Sequence, residues 1–552
     1  MAKDINQITH NLIEICDKLS IRYAVLAPGS RSAPLALAFI RKENIKHFVV
    51  SDERSAAYMA LGIARKTGET VALVCTSGTA TLNFAPAIAE AYNQGIPLLV
   101  LTADRPVEWV NQGENQTINQ ENIYEPNIRK SYRLNISYPD IDAEKEAYRL
   151  LSEAIHKCKF PFPGPVHVNI PLREPLYENY KKASIPDYKL IRQENAVIDL
   201  SKNRYKELFQ QLVTPKKVMI LAGMLAPDTK LRRTLNKLFT LTDLVFVRDI
   251  TANLSDFERA ITFPEQIIKD ADENLLKKLQ PELLITFGNY IISKELRQFI
   301  RNYPPKYHWH IGIHSSFIDT YQSLTRVLPV APASFFSNLL REVKVFEKRS
   351  YSGYYRLWEK ANSKAIQTVA QKCEQDSELG YYKKIVNAIP KNAVLHIGNS
   401  SSIRFANELS LFENKNAKNI EVFSNRGSSG IDGSLSTAVG SSIVSDKLHF
   451  VIIGDQSLMY DRNALWNKYI KPNLKIILIN NKGGQIFSRM EGPASQNELD
   501  EYFVNHVETD FKILANQHKL NYSKATHLET FDKVFKKFVK ENGAACVLEI
   551  DI

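Results

Sequence analysis

The chain has 552 residues, 44% of them apolar, with a net charge of +11 and an isoelectric point near 9.1. On a prior of about 150 residues per domain this length holds about three domains. No apolar run approaches the about 20 residues that cross a bilayer, and the first residues lack the apolar core of a signal peptide. The five cysteines (Cys16, Cys75, Cys158, Cys373, Cys546) form no Cys-x-x-Cys pair, so neither a disulfide framework nor a zinc site is indicated and a reducing cytoplasm is expected. The positive charge admits nucleic acid as a partner, but Lys and Arg are interspersed with acids along the whole chain. Small anionic ligands fit that distribution better than nucleic acid, and a well-solvated surface is the plainer reading.

Residues 1–180 alternate strand and helix. Apolar runs predict strands at Tyr23–Leu26, Phe48–Val50, Val71–Cys75 and Leu98–Leu101, each followed by a turn that opens a helix or loop: Ala27-Pro-Gly-Ser-Arg-Ser, Ser51-Asp-Glu-Arg, Thr76-Ser-Gly-Thr-Ala-Thr and Thr102-Ala-Asp-Arg-Pro. This rhythm predicts an α/β fold with a doubly wound parallel sheet. The Gln- and Asn-rich stretch Asn111–Asn122 has no helical or strand period; it reads as a loop over a ligand, or more plainly as an exposed loop. Val166–Ile170 is the last predicted strand of this unit, and a charged linker runs on to about Lys202.

A second unit, residues 181–345, has predicted strands at Lys217–Leu221, Leu244–Val247, Leu283–Phe287 and Tyr307–Ile311. It has no Gly-x-Gly-x-x-Gly, so dinucleotide binding is not supported. The third unit, residues 346–552, has predicted strands at Ala393–Ile397, Ile420–Phe423, Leu448–Ile453, Leu474–Ile479 and Cys546–Ile550. Two of these end in Gly454-Asp455 and Asn480-Asn481, with an amphipathic segment Leu458–Tyr469 predicted as the helix between them. Parallel pairing puts Asp455 and Asn481, 26 residues apart, on one C-terminal sheet edge, where ligands of such sheets collect. An Asp, an Asn and loop carbonyls form a hard-oxygen set suited to Mg²⁺ on a diphosphate. Taken alone, Asp455 as a helix cap and Asn480-Asn481 as a turn is the plainer reading. Glu53 likewise reads alone as an acid at a helix N-terminus. Seated before Ala56, Ala57 and Met59, it also reads as a desolvated, proton-sharing carboxyl group.

The segments Ala27-Pro-Gly-Ser-Arg-Ser, Asp52-Glu-Arg-Ser-Ala, Cys75-Thr-Ser-Gly-Thr-Ala, Leu101-Thr-Ala-Asp-Arg-Pro, Ser424-Asn-Arg-Gly-Ser-Ser-Gly-Ile-Asp-Gly and Asn481-Lys-Gly-Gly-Gln-Ile-Phe occur in this order. With Gly454-Asp455 they make the chain resemble the 2-succinyl-5-enolpyruvyl-6-hydroxy-3-cyclohexene-1-carboxylate synthase family, thiamine-diphosphate enzymes of menaquinone biosynthesis. The likeness is strong in the first and last units and weak in the middle one. Gln456 departs from the glycine that most thiamine-diphosphate enzymes carry there.

The resemblance implies three α/β domains: pyrimidine-binding (1–180), central (181–345) and diphosphate-binding (346–552). It implies that 2-oxoglutarate is decarboxylated and that the succinyl carbanion equivalent adds to the unsaturated carboxylate of isochorismate. It places Glu53 on the aminopyrimidine ring, Ile431 as a wedge under a bent cofactor, and Mg²⁺ (or Mn²⁺) on Asp455, Asn481 and the Gly483 carbonyl. Ser77, Gly78, Thr79, Gln456 and Ser457 also fall at the cofactor. Ser400, Arg404 and Arg426 match positions for the succinyl carboxylate, and Ser30, Arg31, Arg105, Asn115, Gln116 and Lys294 match positions around isochorismate. Glu295 stands where some members carry a second base. Ile486 and Phe487 supply an apolar wall. Arg31 and Gln116 join Glu53 as catalytic candidates, with Gln116 and water sharing the proton handling. His47 and His167, in or beside predicted strands, read as core groups. The implied assembly is a homodimer with shared sites, or a homotetramer. The alternatives are another thiamine-diphosphate lyase of the acetolactate synthase or decarboxylase kind, and a non-catalytic basic α/β binding protein.

Overall fold

A computed structural model describes residues 5–138, 140–177, 188–255, 257, 259–313, 317–343, 352–375, 377–411, 413–506 and 508–552. The expected domain boundaries near 180 and 345 lie outside the described residues. Three parallel sheets account for the chain. The first contains β1 (Tyr23–Leu26), β2 (Lys46–Val49), β3 (Val71–Cys75), β4 (Leu98–Asp104), β5 (Ser131–Arg133) and β6 (Val166–Pro171) in the order β2-β1-β3-β4-β6-β5. The second contains β7 (Val218–Ala222), β8 (Val245–Arg248), β9 (Leu283–Phe287), β10 (Tyr307–Ile311) and β11 (Arg326–Leu328) in the order β11-β10-β9-β7-β8. The third contains β12 (Val394–Ile397), β13 (Glu421–Phe423), β14 (His449–Gly454), β15 (Leu474–Asn480), β16 (Asn521–Ala525) and β17 (Cys546–Asp551) in the order β13-β12-β14-β15-β17-β16.

In every sheet the chain begins near the middle, steps outward once, then crosses to the other side. The resulting switch points lie between β1 and β3, β7 and β9, and β12 and β14. In α/β sheets the crevice beyond such a point is where ligands lodge. Ala27-Pro-Gly-Ser-Arg and Thr76-Ser-Gly flank the first switch point; Asn399-Ser400 and Asp455 flank the third. The central strands are apolar on both faces because helices cover both sides: β3, β4, β9 and β15 are buried along their whole length.

The predicted strands are present within a residue or two, except that β4 runs three residues beyond the expected Leu101, to Asp104. The structure adds three edge strands that carry no apolar run, β5, β11 and β16. It also corrects the crossover from β14 to β15. Leu458–Tyr469 is not one helix: a helix covers Asp455–Tyr460, a 3-10 turn covers Arg462–Leu465, and irregular chain follows. The helix stops early because the Asp461 carboxylate turns away to take the Ser436 amide and hydroxyl at 2.7 and 2.6 Å.

The first and third units share a core in which Ala57, Leu61 and Val71 pack with Leu435, Val439 and Val451. Their closest approach is between the helices Glu53–Thr67 and Ser434–Ile443. A Cβ built on Gly62 would lie 2.0 Å from the Thr437 carbonyl oxygen, and one on Gly440 would lie 2.1 Å from that of Met59. Only glycine lets the two backbones come this near. The second and third units share another core that includes Val247, Leu296, Trp358, Ile403 and Phe450. Asn253 continues that joint by hydrogen bonding both ways to the Val422 backbone, at 2.7 and 3.0 Å.

Candidate active site

On the first sheet edge, Glu53 opens the helix Glu53–Thr67, whose N-cap Asp52 accepts the Ser55 amide at 2.7 Å. Every residue from Ser55 to Ala64 is buried, whereas Glu53 itself is half-buried. The desolvating wall expected behind the carboxylate is therefore present, with the carboxylate at its rim. Asp52 also accepts Asn463 Nδ2 at 2.6 Å and Arg54 donates to the Tyr460 carbonyl at 2.6 Å, fastening this helix start to the third unit.

Beside it, Gly78 has φ +82°, a left-handed conformation natural to glycine, and its amide donates to Gln120 Oε1 at 2.8 Å. A Cβ there would meet the Gln116 backbone at 3.2 Å, so the Asn111–Asn122 loop lies directly over Gly78. Gln120, which the sequence reading missed, latches that loop: Nε2 donates to the Ala103 carbonyl and to Asn169 Oδ1 at 3.1 and 3.0 Å. Asn115, Gln116 and Thr79 are exposed and Ser77 is buried. Arg105 is held by the Asn115 carbonyl at 3.2 Å and an ion pair with Glu114. Arg31 is buried, donates to the Leu172 carbonyl at 2.9 Å and pairs with Glu174, and Ser30 bonds Tyr177. His167 is a satisfied core group between Thr102 and Ser131, and burial pushes its pKa down to about 3. His47 is a correction: on the edge strand β2 it is only half-buried, because the sheet ends there.

On the third sheet edge, β14 and β15 pair with Gly454 opposite Ile479, so Asp455 and Asn481 leave adjacent strand ends together. Asp455 is buried and its two oxygens accept the Gln456 and Gly483 amides at 2.6 and 2.9 Å. Burial raises its pKa from the ordinary aspartate value, opposed by the amides of Gln456, Gly483, Lys482 and Asn481. The Gln456 side chain reaches away, to the Val504 and Asn505 carbonyls. Ser457 Oγ donates to the Ile431 carbonyl at 2.5 Å, and Tyr58 donates to Asp432 at 2.7 Å. The turn bearing Ile431 is thus gripped from both sides. Ile486 is buried, and Phe487 packs against Phe503 with centroids 5.5 Å apart.

Ser400 sits at φ +67° before the helix Ser401–Leu409, a strained backbone of the kind held at functional sites. Arg404 projects exposed from that helix. Arg426 donates to Asn399 Oδ1 at 3.2 Å. Its loop is seated by Glu90, whose buried carboxylate takes the Gly427 and Ser428 amides at 2.7 and 2.6 Å. Burial lowers the Arg426 pKa, with Arg404 and Arg297 adding repulsion and Asp249 opposing it. Asp249 is itself raised to about 7 by burial. Glu90, Asp249 and Arg297 were missed by sequence reasoning because their partners lie far away in the chain. Lys294 is exposed at the start of the helix that carries Arg297. Glu295 is charge-coupled to Lys269 instead.

The buried hydroxyls of Thr76, Ser77 and Ser434 and the Nε of Arg426 have no hydrogen-bond partner among the described residues. Buried donors are rarely left unpaired, so polar groups of a bound molecule at these two edges fit the residues present. A separate cavity of about 410 Å³ lies where the three units meet, lined by Arg65, Gln94, Met224 and Phe423 among others; neither Glu53 nor Asp455 lines it.

Residues 6–123 match the family model described as the thiamine pyrophosphate enzyme N-terminal TPP binding domain. The chain is 34% identical over 99% of its length, and 96% of the relative's, to the 2-succinyl-5-enolpyruvyl-6-hydroxy-3-cyclohexene-1-carboxylate synthase of Cytophaga hutchinsonii. It is 35% identical to the protein of the same name from Christiangramia forsetii, covering 98% and 95% of the two chains. It is 36% identical to that of Flavobacterium psychrophilum, covering 96% and 93%. The chain belongs to the 2-succinyl-5-enolpyruvyl-6-hydroxy-3-cyclohexene-1-carboxylate synthase family. It is therefore a thiamine-diphosphate-dependent enzyme, and the reading as a non-catalytic basic protein falls away. Among the described residues no helix is long and apolar enough to cross a membrane.

Proposed function

We propose that this family member decarboxylates 2-oxoglutarate and joins the succinyl carbanion equivalent to isochorismate, giving 2-succinyl-5-enolpyruvyl-6-hydroxy-3-cyclohexene-1-carboxylate for menaquinone biosynthesis in the cytoplasm. The observation that carries it is the placing of two arginines around the Ser400 turn: Arg404 follows on the helix that Ser400 precedes, and Arg426 bonds the adjoining Asn399 while its buried Nε has no hydrogen-bond partner among the described residues. A buried guanidinium N–H without a partner calls for an acceptor, and a carboxylate is the natural occupant for planar guanidinium forks. When bound, thiamine diphosphate supplies the electron sink for loss of CO₂.

The division into domains 1–180, 181–345 and 346–552 assigns the pyrimidine to the first and the diphosphate to the third. Glu53 would hold a proton toward the bound thiamine diphosphate, and Ile431, Ser77, Gly78, Thr79 and Ser457 would line its site. Asp455, Asn481 and the Gly483 carbonyl would hold Mg²⁺ or Mn²⁺, whose charge would offset that of a diphosphate. Ser400, Arg404 and Arg426 bind the distal carboxylate of 2-oxoglutarate. Ser30, Arg31, Arg105, Asn115, Gln116 and Lys294 surround isochorismate, with Ile486 and Phe487 as the apolar wall. Glu53 and Asp455 of different subunits complete each site, so a homodimer is the smallest active unit, and dimers pairing into a tetramer remain compatible with it. The test is to incubate the enzyme with thiamine diphosphate, Mg²⁺ and 2-oxoglutarate, with and without isochorismate. Product and CO₂ should form in equal amounts only with both substrates; rapid turnover of pyruvate would instead identify an acetolactate synthase-like lyase.

A further inference from the structure

The Asn481 amide can present either its oxygen or its nitrogen, and only the oxygen can bind a cation. In this chain the choice is made by Glu378. Asn481 Nδ2 donates to Glu378 Oε1 at 3.1 Å. A carboxylate only accepts, so it turns the NH₂ end toward itself and leaves Oδ1 on the other side. Glu378 is 4% exposed, and its second oxygen takes Arg489 Nη2 at 2.7 Å. Arg489 lies over the Phe405 ring at 4.8 Å, on the helix that carries Arg404. One helical turn on from Glu378, the buried Tyr382 hydroxyl donates to Ser402 Oγ at 2.9 Å. One buried carboxylate therefore touches the asparagine of the cation loop and the arginine that ends the Ile486–Phe487 segment.

We infer that Glu378 is a positioning residue of the cation site, fixing the Asn481 amide with its oxygen toward the metal while anchoring the Phe487–Arg489 turn. The inference rests on the cation-site reading above and adds to it an outer partner that no motif contains. Outer partners of metal ligands change affinity by about 10- to 100-fold.

The experiment is a Mn²⁺ titration of the full chain with thiamine diphosphate present, followed by electron paramagnetic resonance. Wild type should bind Mn²⁺ and D455N should not; absence of wild-type binding would remove the cation-site reading itself. Given wild-type binding, E378Q lets the Asn481 amide flip and should weaken Mn²⁺ at least about tenfold, with thiamine diphosphate still reaching saturation at high metal. N481D supplies a better ligand for a hard cation, yet against Glu378 it sets two carboxylates together and should also weaken binding. In N481D/E378Q the amide introduced at position 378 can donate to the carboxylate introduced at position 481, so affinity should recover relative to N481D. Wild-type affinity in E378Q, or no recovery in the double variant, would overturn the inference. N481D alone decides the matter if E378Q fails to fold: tighter binding than wild type contradicts a carboxylate facing that position.

Discussion

Arg404 is exposed and its side chain makes no hydrogen bond or ion pair among the described residues, so removing it should leave the fold intact and report on binding. A charge-assisted hydrogen bond contributes about 1.5–3 kcal/mol. Arg404→Ala should accordingly raise the KM for 2-oxoglutarate by roughly 10- to 100-fold and leave that for isochorismate nearly unchanged. Equal effects on both substrates would mean the two carboxylate pockets are wrongly divided. His167 gives a pH signature of a different origin. Its folded pKa is held near 3 by burial, whereas an unfolded histidine titrates at about 6.5. Between these values the unfolded chain binds the extra proton, so stability is complete above about 6.5 and falls as pH drops toward 3. His167→Gln should cost about 1 kcal/mol at pH 7 through its hydrogen bonds but lose stability less steeply than wild type from about pH 6.5 to about pH 5. Urea midpoints at the two pH values measure this; an unchanged slope would contradict it.

Among the elements, the helix Glu53–Thr67 joins the most parts of the site. Its N-terminus presents Glu53, its middle crosses Ser434–Ile443 at Gly62, and Tyr58 grips Asp432 beside Ile431. Gly62→Ala would raise intrinsic helix propensity by about 1 kcal/mol, yet its Cβ would fall 2.0 Å from the Thr437 oxygen. Overpacking of this kind costs about 1–3 kcal/mol, so the variant should unfold at lower urea than wild type; a higher midpoint would show that the crossing is looser than described. This contact was not legible beforehand, because Gly62 and Thr437 are joined only by tertiary structure. The strands were legible: a doubly covered parallel sheet needs uninterrupted apolar runs, and β3, β4, β9 and β15 have them. The edge strands β5, β11 and β16 have mixed burial and so no periodic signal. The motif loops were legible because each follows a strand at the C-terminal edge of its sheet, where glycine, serine and charged residues break the apolar run. Glu90, Asp249, Gln120 and Glu378 were not, since an acid or amide that serves a backbone or side chain tens to hundreds of residues away leaves no local pattern.

At the scale of the whole molecule, the proposed site divides between two sheet edges. One presents Glu53, Ser77, Gly78 and the Gln120-latched loop; the other presents Ser400, Arg404, Arg426, Ile431, Asp455 and Asn481. Within one chain the first and third units are joined by a shared apolar core and by hydrogen bonds between Asp52 and Asn463, Arg54 and the Tyr460 carbonyl, and Glu90 and the Arg426 loop. Sharing of these two edges between subunits is the central claim of the proposed function. The most direct measurement mixes two inactive variants, E53Q and D455N, after reversible dissociation. If the edges of different subunits act on one cofactor, random reassociation into symmetric dimers restores one working site in each heterodimer, about a quarter of wild-type activity. Activity that stays at the level of the separate variants, with heterodimers shown to have formed, would contradict it.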